Sequence, residues 1–410
     1  MSGLWVLVKR LPRRVWFRAA LFTIIAIVYA LIAGAVASFV PYSFAFDLGQ
    51  GAVGSILQIL ATSMLAVTTF SLTTMVTAYS SASAIATPRA TQLLVEDTTS
   101  QNVLSTFIGA FTFSLVGIIA LSTSYYTDQG RAILFLGTLV VIVIIVVTLL
   151  RWIGHLSSFG RMADVIDRVE SEACSTLASY AAKPALGANV LRGKPTGSFQ
   201  IRAPRVGVVT HVQLSRIESV AADADVQVHI VASAGRMTDA ATPLARVSGH
   251  LDEDAASAIA NAFQIDAHRT YEQDPRLGVI ALSEIGSRAL SPSTNDPGTA
   301  IEVLGSLQRV FTAMLTEEPD DEVLYPHVWI TPVALDDLLE DAFRPLARDG
   351  AGMIEVALRL QRVLAALAAT SPRRAASFRR AADAAARRAF NALPRADAAT
   401  LRSSRRNLWG

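Results

Sequence analysis

The chain has 410 residues, 52% of them hydrophobic and only 17% charged, with a net charge of +2. Soluble domains carry roughly 25% charged residues, so an ordinary water-soluble composition is excluded. Cys174 is the single cysteine, which excludes an intrachain disulfide and a cysteine-based zinc cluster. The deficit of charge is local. Residues 19–150 hold few charges, whereas 151–410 have the composition of a soluble protein long enough for its own core.

In chain order, residues 1–18 carry Lys9, Arg10, Arg13, Arg14 and Arg18 and no acid. The uncharged run 19–40 that follows can cross a hydrocarbon core of roughly 30 Å as a helix. Ala35 and Ala37 resemble a cleavage site, but the run exceeds the roughly 7–15-residue apolar core of a signal peptide. After a loop with Pro41, Tyr42, Asp47, Gly49 and Gly51, residues 53–88 contain no Asp, Glu, Lys, Arg or His. This second run is rich in hydroxyls, and Thr69, Thr73 and Thr77 recur every four residues, with Thr62 on the same helix face. That face is expected to meet another helix, another subunit or water. Its two readings are a hydroxyl-lined path between subunits and helix packing through small and hydroxyl residues. A polar connector holds Pro88, Arg89, Glu96 and Asp97. Further spans are expected at 103–124, with Gly109 and Gly117 as close-approach residues, and at 132–151, after a loop with Tyr125 and Tyr126.

Four spans, at 19–40, 53–80, 103–124 and 132–151, put both termini on one side. The basic N-terminus and Arg151, Arg161 and Arg168 assign that side to the cytoplasm by the positive-inside rule. The predicted fold class is therefore an α-helical membrane domain with four transmembrane helices in residues 19–154, followed by a cytoplasmic α+β domain. A connecting helix is expected over 155–182, with Ile166, Val169, Ala173 and Leu177 on one face. Residues 183–250 read as a small β-rich module, with strands near 199–202, 206–212, 226–231 and 244–249 and a short helix at 214–222. Residues 251–370 read as helical: Asp252 caps a helix expected to reach His268, and Asp296 followed by Pro297 has the grammar of a helix start. Residues 328–331 form a possible strand within it. The segment 371–410 carries ten arginines against Asp383 and Asp397. It is expected to be a helix to Pro394 and disordered beyond, with Arg373, Arg374, Arg379, Arg380, Arg387 and Arg388 facing anionic lipid headgroups, and no nucleic-acid partner.

The stretch Glu272, Gln273, Asp274, Pro275, followed by Arg288, Ala289, Leu290, Ser291, Pro292, Ser293, Thr294, Asn295, Asp296, Pro297, resembles a known family. It is similar to the bacterial predicted membrane proteins catalogued as domain of unknown function 2254. The connector Ala86, Thr87, Pro88, Arg89 fits the same pattern, while Ser293 and Ala241 stand where the family has glycines. The resemblance implies the same architecture and no established activity.

No nucleotide-binding fingerprint and no Gly-x-Ser-x-Gly elbow occur, and the six histidines are scattered. No lysine follows Lys194, so a lipoyl or biotin carrier is excluded, and no cofactor is expected. His229, which alternates with Val226, Val228 and Val231, is expected to face outward. The polar residues Glu272, Asp274, Arg288, Ser291, Asn295 and Asp296 form a candidate binding cluster, or else two helix caps with Arg288 as their ion-pair partner. The four expected spans contain no carboxylate or histidine, which disfavours a proton-driven pump. The leading reading is a homo-oligomeric, channel-like or sensor protein of the bacterial inner membrane, regulated by its cytoplasmic domain. The second is a non-conducting scaffold or signalling protein binding a cytoplasmic partner, and the third a membrane-bound enzyme using Asp274 and Asp296.

Overall fold

The computed structural model describes residues 15–36, 51–95, 97–123, 128–239 and 241–410. Lys9, Arg10, Arg13, Arg14, Ala37, the loop with Pro41, Tyr42, Asp47 and Gly49, Glu96, and Tyr125 and Tyr126 lie outside the described residues. The chain forms two compact units that divide at residue 165, with residues 85–87 belonging to the second.

The first unit is helical: α1 (Val15–Val36), α2 (Ala52–Ile85), α3 (Pro88–Val95), α4 (Thr98–Ser122) and α5 (Asp128–Ser158). Three stretches of α2, α4 and α5, namely Ala52–Ser83, Thr98–Ser122 and Gly130–Ser158, are long and apolar enough to cross a membrane. In α1, where the first of four spans was expected, the apolar helical stretch is the shorter Ala20–Tyr29. One face of α2 buries Val53, Leu57, Ala61, Met64, Ser71 and Met75, a three- and four-residue spacing that keeps one side of the helix against its neighbours. Val53 and Leu57 share a core with Phe113, Ala120 and Leu134. Gly117 allows the close approach of α4 to α2, because a Cβ there would lie 2.9 Å from Leu57 Cδ1. The fourth expected span is longer than its apolar run, since α5 continues past Arg151 to Ser158. A single helix over 155–182 is not what forms: Gly160, at φ +78°, ends the turn, and α6 (Met162–Ala182) begins anew.

In the second unit the strands build two sheets. The five-stranded sheet has the order β1 (Ala188–Val190), β8 (Tyr325–Ile330), β4 (Gln227–Ile230), β6 (Pro243–Ser248), β2 (Phe199–Arg202). Strand β8 runs parallel to both β1 and β4, and β6 runs antiparallel to β4 and β2. The three-stranded sheet is antiparallel: β5 (Met237–Thr238), β3 (Gly207–Val212), β7 (Phe263–Asp266). Helices α7 (Leu214–Asp223) and α8 (Glu253–Ala260) accompany them over a core that includes Val209, Ile217, Val228, Leu244, Ile259 and Val328.

Two differences from the sequence reading share a cause. The helix from Asp252 stops at Ala260 instead of reaching His268, because Phe263 and Ile265 turn inward as β7 and pair with β3. Likewise the β module does not close at residue 250: β8, from residues 325–330, sits inside its main sheet. Strand partners far away in sequence override the local helical pattern.

The helices α9 (Leu277–Ala289), α10 (Pro297–Thr316), α11 (Leu335–Asp349), α12 (Ile354–Thr370), α13 (Ala375–Ala392) and α14 (Arg395–Trp409) complete the unit. The expectation of disorder after Pro394 is corrected. Leu393, Ala398 and Leu401 pack with Ala357 and Ala389, and Arg405 donates to Gln361 Oε1 at 2.7 Å and to the Ala382 carbonyl at 2.9 Å. That burial and those bonds offset the ordering entropy that charge count alone would leave uncompensated.

Candidate functional site

Along α2 the hydroxyl stripe faces away from its own unit. Thr62, Thr69, Thr73 and Thr77 are exposed, as are Gln58, Leu65, Ala66, Val76 and Ser80 on the same face. Each of the four threonines donates to the carbonyl four residues earlier, at 2.9 Å (to Gln58), 2.8 Å (to Leu65), 3.0 Å (to Thr69) and 3.0 Å (to Thr73). Such back-bonding satisfies the hydroxyl proton inside the helix and leaves an oxygen lone pair outward. The stripe can therefore line a wet path or lie against another helix without an unsatisfied donor.

The polar cluster of the second unit separates into two places. Asp274 is buried, and its carboxylate takes both branches of the Arg269 guanidinium, Nε at 2.6 Å and Nη2 at 2.9 Å, and the Arg276 backbone N–H at 3.1 Å. Its neighbour Gln273 accepts from the Val212 N–H at 2.9 Å and donates to the Val212 carbonyl at 3.4 Å, closing the end of β3. Glu272 is exposed. Asp296 stands at the other end of α9, about 20 Å away for 13 residues at about 1.5 Å each. There it caps α10, accepting the Thr299 N–H at 3.1 Å and the Thr299 hydroxyl at 2.6 Å. Those bonds lower its carboxyl pKa. Asn295 takes a positive φ of 48°, and Ser291 shares hydroxyl bonds with Ser293 at 3.1 Å and Thr294 at 3.3 Å. Arg288 pairs with neither carboxylate; its Nη1 donates to the Ala86 carbonyl at 3.0 Å. Asp274 and Asp296 thus stand apart, and the ion-pair partner of Asp274 is Arg269 in place of the expected Arg288.

Of the C-terminal arginines, Arg373, Arg374, Arg379, Arg380 and Arg387 are exposed and Arg388 is half-buried. Arg380 is bound to Asp336 at 2.6 Å, and Arg388 Nη1 donates to the Ala384 carbonyl at 3.2 Å. A groove of 630 Å³ between α9 and α11 also reaches Arg388. Its walls hold four arginines and four carboxylates, among them the Arg276–Asp341 pair at 2.6 Å. This balance of charge favours no single ligand class. His229 is not outward: it is buried, and its Nδ1 accepts the Thr196 N–H at 2.9 Å. Burial lowers its pKa below the usual imidazole value.

One polar constellation escaped the sequence reading because it joins three helices. Asp97 caps α4 and accepts the Ser100 N–H at 2.7 Å and hydroxyl at 2.6 Å through Oδ2. The same oxygen lies 3.1 Å from His155 Nε2, in the last turn of α5. Trp152, one turn before it and fully buried, donates from Nε1 to Ser71 Oγ of α2 at 2.8 Å. The only sequence signal was a histidine following a tryptophan at the end of an apolar run.

Comparison with known proteins fits the apolar helices and the matched turns. A family model described as a predicted membrane protein (DUF2254) matches residues 12–366. The chain belongs to this family. An uncharacterized protein of Mycobacterium tuberculosis and one of Mycobacterium bovis are each 24% identical to it over 247 residues, covering 57% of this chain and 47% of the relative. The chain spans about half the length of the curated relatives it matches. No solved structure matches. In this DUF2254 member, the Gln-Asp-Pro and Asn-Asp-Pro turns close a strand, pin an arginine and cap a helix.

Proposed function

We propose that this DUF2254 protein is a homo-oligomeric, channel-like protein of the bacterial inner membrane, with the second span of each copy lining a shared path. The observation that carries the reading is the uninterrupted outward face from Gln58 to Ser80, with its four back-bonded threonines. A helix in contact with lipid alone gains nothing from hydroxyls there, whereas a wet path or a neighbouring copy uses their outward oxygens. Arg151, Arg161 and Arg168 after the last span support a cytoplasmic second unit, and α1 serves as the first of four spans. That unit regulates the path, and its exposed Arg373, Arg374, Arg379 and Arg387 bind anionic lipid headgroups.

Purified protein in planar bilayers tests the proposal. A conductance that Thr73→Leu reduces is the expected result. Silent bilayers, or a monomer in lipid nanodiscs, overturn it. The charged groove between α9 and α11 supports a second reading, a non-conducting scaffold that docks a partner in the cytoplasm. It predicts a co-purifying protein that is lost on Arg344→Glu. The distance between Asp274 and Asp296 gives an enzymatic reading no shared site.

A further inference from the structure

We propose that Asp97 and His155 form a proton-binding site whose occupancy couples the second, third and fourth apolar helices of the first unit. The site lies where two helix ends of opposite polarity meet. Asp97 is the N-cap of α4, where the helix dipole favours an anion, and His155 is in the last turn of α5, where it favours a cation. Their 3.1 Å contact is joined by Ser100, whose hydroxyl lies 3.4 Å from the same His155 Nε2.

This geometry separates proton binding from catalysis. In a nucleophilic relay a histidine uses one ring nitrogen for the hydroxyl and the other for the carboxylate. Here Ser100 and Asp97 meet the same nitrogen, and the Ser100 hydroxyl donates to Asp97 itself. No base is free to activate the serine. A proton added to the imidazole instead turns the Asp97 contact into an ion pair in which both partners are charged. The ring also lies over Trp152, with centroids 5.6 Å apart and planes at 28°, and 5.0 Å from the Phe159 ring, so an imidazolium meets aromatic faces.

The readout of the proton is built in. Trp152 holds Ser71 of α2 through its indole N–H, so the chain Ser100, Asp97, His155, Trp152, Ser71 runs from α4 through α5 to α2. Ser71 is buried on the side of α2 away from the threonine stripe. Few other titratable groups belong to the elements around the site. They are Arg151 one turn earlier and Asp128 and Arg131 at the start of α5, Arg89 on α3, Arg18 and Tyr29 on α1, Arg161 and Asp164 after α5, and Tyr79 of α2, whose ring packs on Phe159 at 5.9 Å. Asp164 already accepts the Gly160 N–H at 3.3 Å, and α4 has no titratable residue.

Full-length protein in nanodiscs tests this by the emission of Trp152, isolated as the difference between the native protein and Trp152→Phe. A protonated imidazole stacked on an indole quenches it. The expected result is a reversible, single-site change of that emission on acidification. His155→Gln abolishes the transition, and Asp97→Asn, which keeps the helix cap, weakens proton binding about tenfold. Emission independent of pH, or a transition that survives His155→Gln, overturns the site. A second readout dispenses with the tryptophan variant. Amide protection of Ser100 and Gln101, corrected for intrinsic exchange, rises on acidification in the native protein and not in His155→Gln; equal behaviour of the two overturns the coupling. Neither readout requires conduction, so a silent bilayer leaves this site standing.

Discussion

Along α2, Thr62, Thr69, Thr73 and Thr77 return their hydrogen bonds to their own helix four residues back, whereas in the second unit Gln273 reaches across 61 residues and Arg288 across 202. A side chain satisfied inside its own helix can change partners without cost to the fold. One that bridges distant segments cannot. The outward threonines are thus free for an interaction beyond the single chain, while the turn residues of the second unit are committed to holding it together.

The contrast breaks most visibly at Asp274. Asp274→Ala leaves the Arg269 guanidinium half-enclosed without its counter-charge, and the second unit is expected to lose about 3 kcal/mol in chemical unfolding. Within the first unit, Trp152→Phe removes a bond that does cross between helices. It strands Ser71 Oγ in a buried position and should cost about 2 kcal/mol, read as a lower melting temperature in nanodiscs.

Two smaller effects sharpen the comparison. His229 accepts the Thr196 N–H and is bound neutral, with its pKa held down by burial, so the unfolded chain takes up the proton first. Stability of the second unit is therefore full above the usual imidazole range and falls by about 1 kcal/mol as pH drops through it, an effect His229→Gln removes. Asp296→Ala costs about 1 kcal/mol through the lost cap of α10, and Asp296→Asn only a few tenths. At the end of the scale, Thr73→Val is expected to change monomer stability by less than about 0.5 kcal/mol while altering subunit association or conductance.

What could be read from the sequence follows the same division. The apolar runs and the Asp296–Pro297 helix start were legible because their causes are local: hydropathy over one helix, and a cap followed by a proline. Strand β7 was not, and β8 was visible as a strand at 328–331 but not in its place in the sheet, since each pairing depends on a partner that the local pattern does not name. The site residues were individually visible, but their grouping was not. Asp274 and Asp296 stand close in sequence and are kept apart by the rigid length of α9. Asp97 and His155 lie 58 residues apart and meet only when α4 and α5 pack. The arginine-rich segment misled for another reason: alanine between the charges reads as a featureless surface, yet Ala382, Ala385, Ala386 and Ala389 are the buried face of α13.

The seat of β8 between β1 and β4 has a consequence for biosynthesis. The strands on either side of it leave the ribosome well before it does, and β1 precedes it by about 140 residues. At roughly 5–20 residues per second, β1 waits about 7–28 s for the neighbour that completes its only pairing in the sheet. During that interval the edges of β1 and β4 are open to other chains. A nascent chain stalled before residue 325 is then the form of this protein most in need of a chaperone.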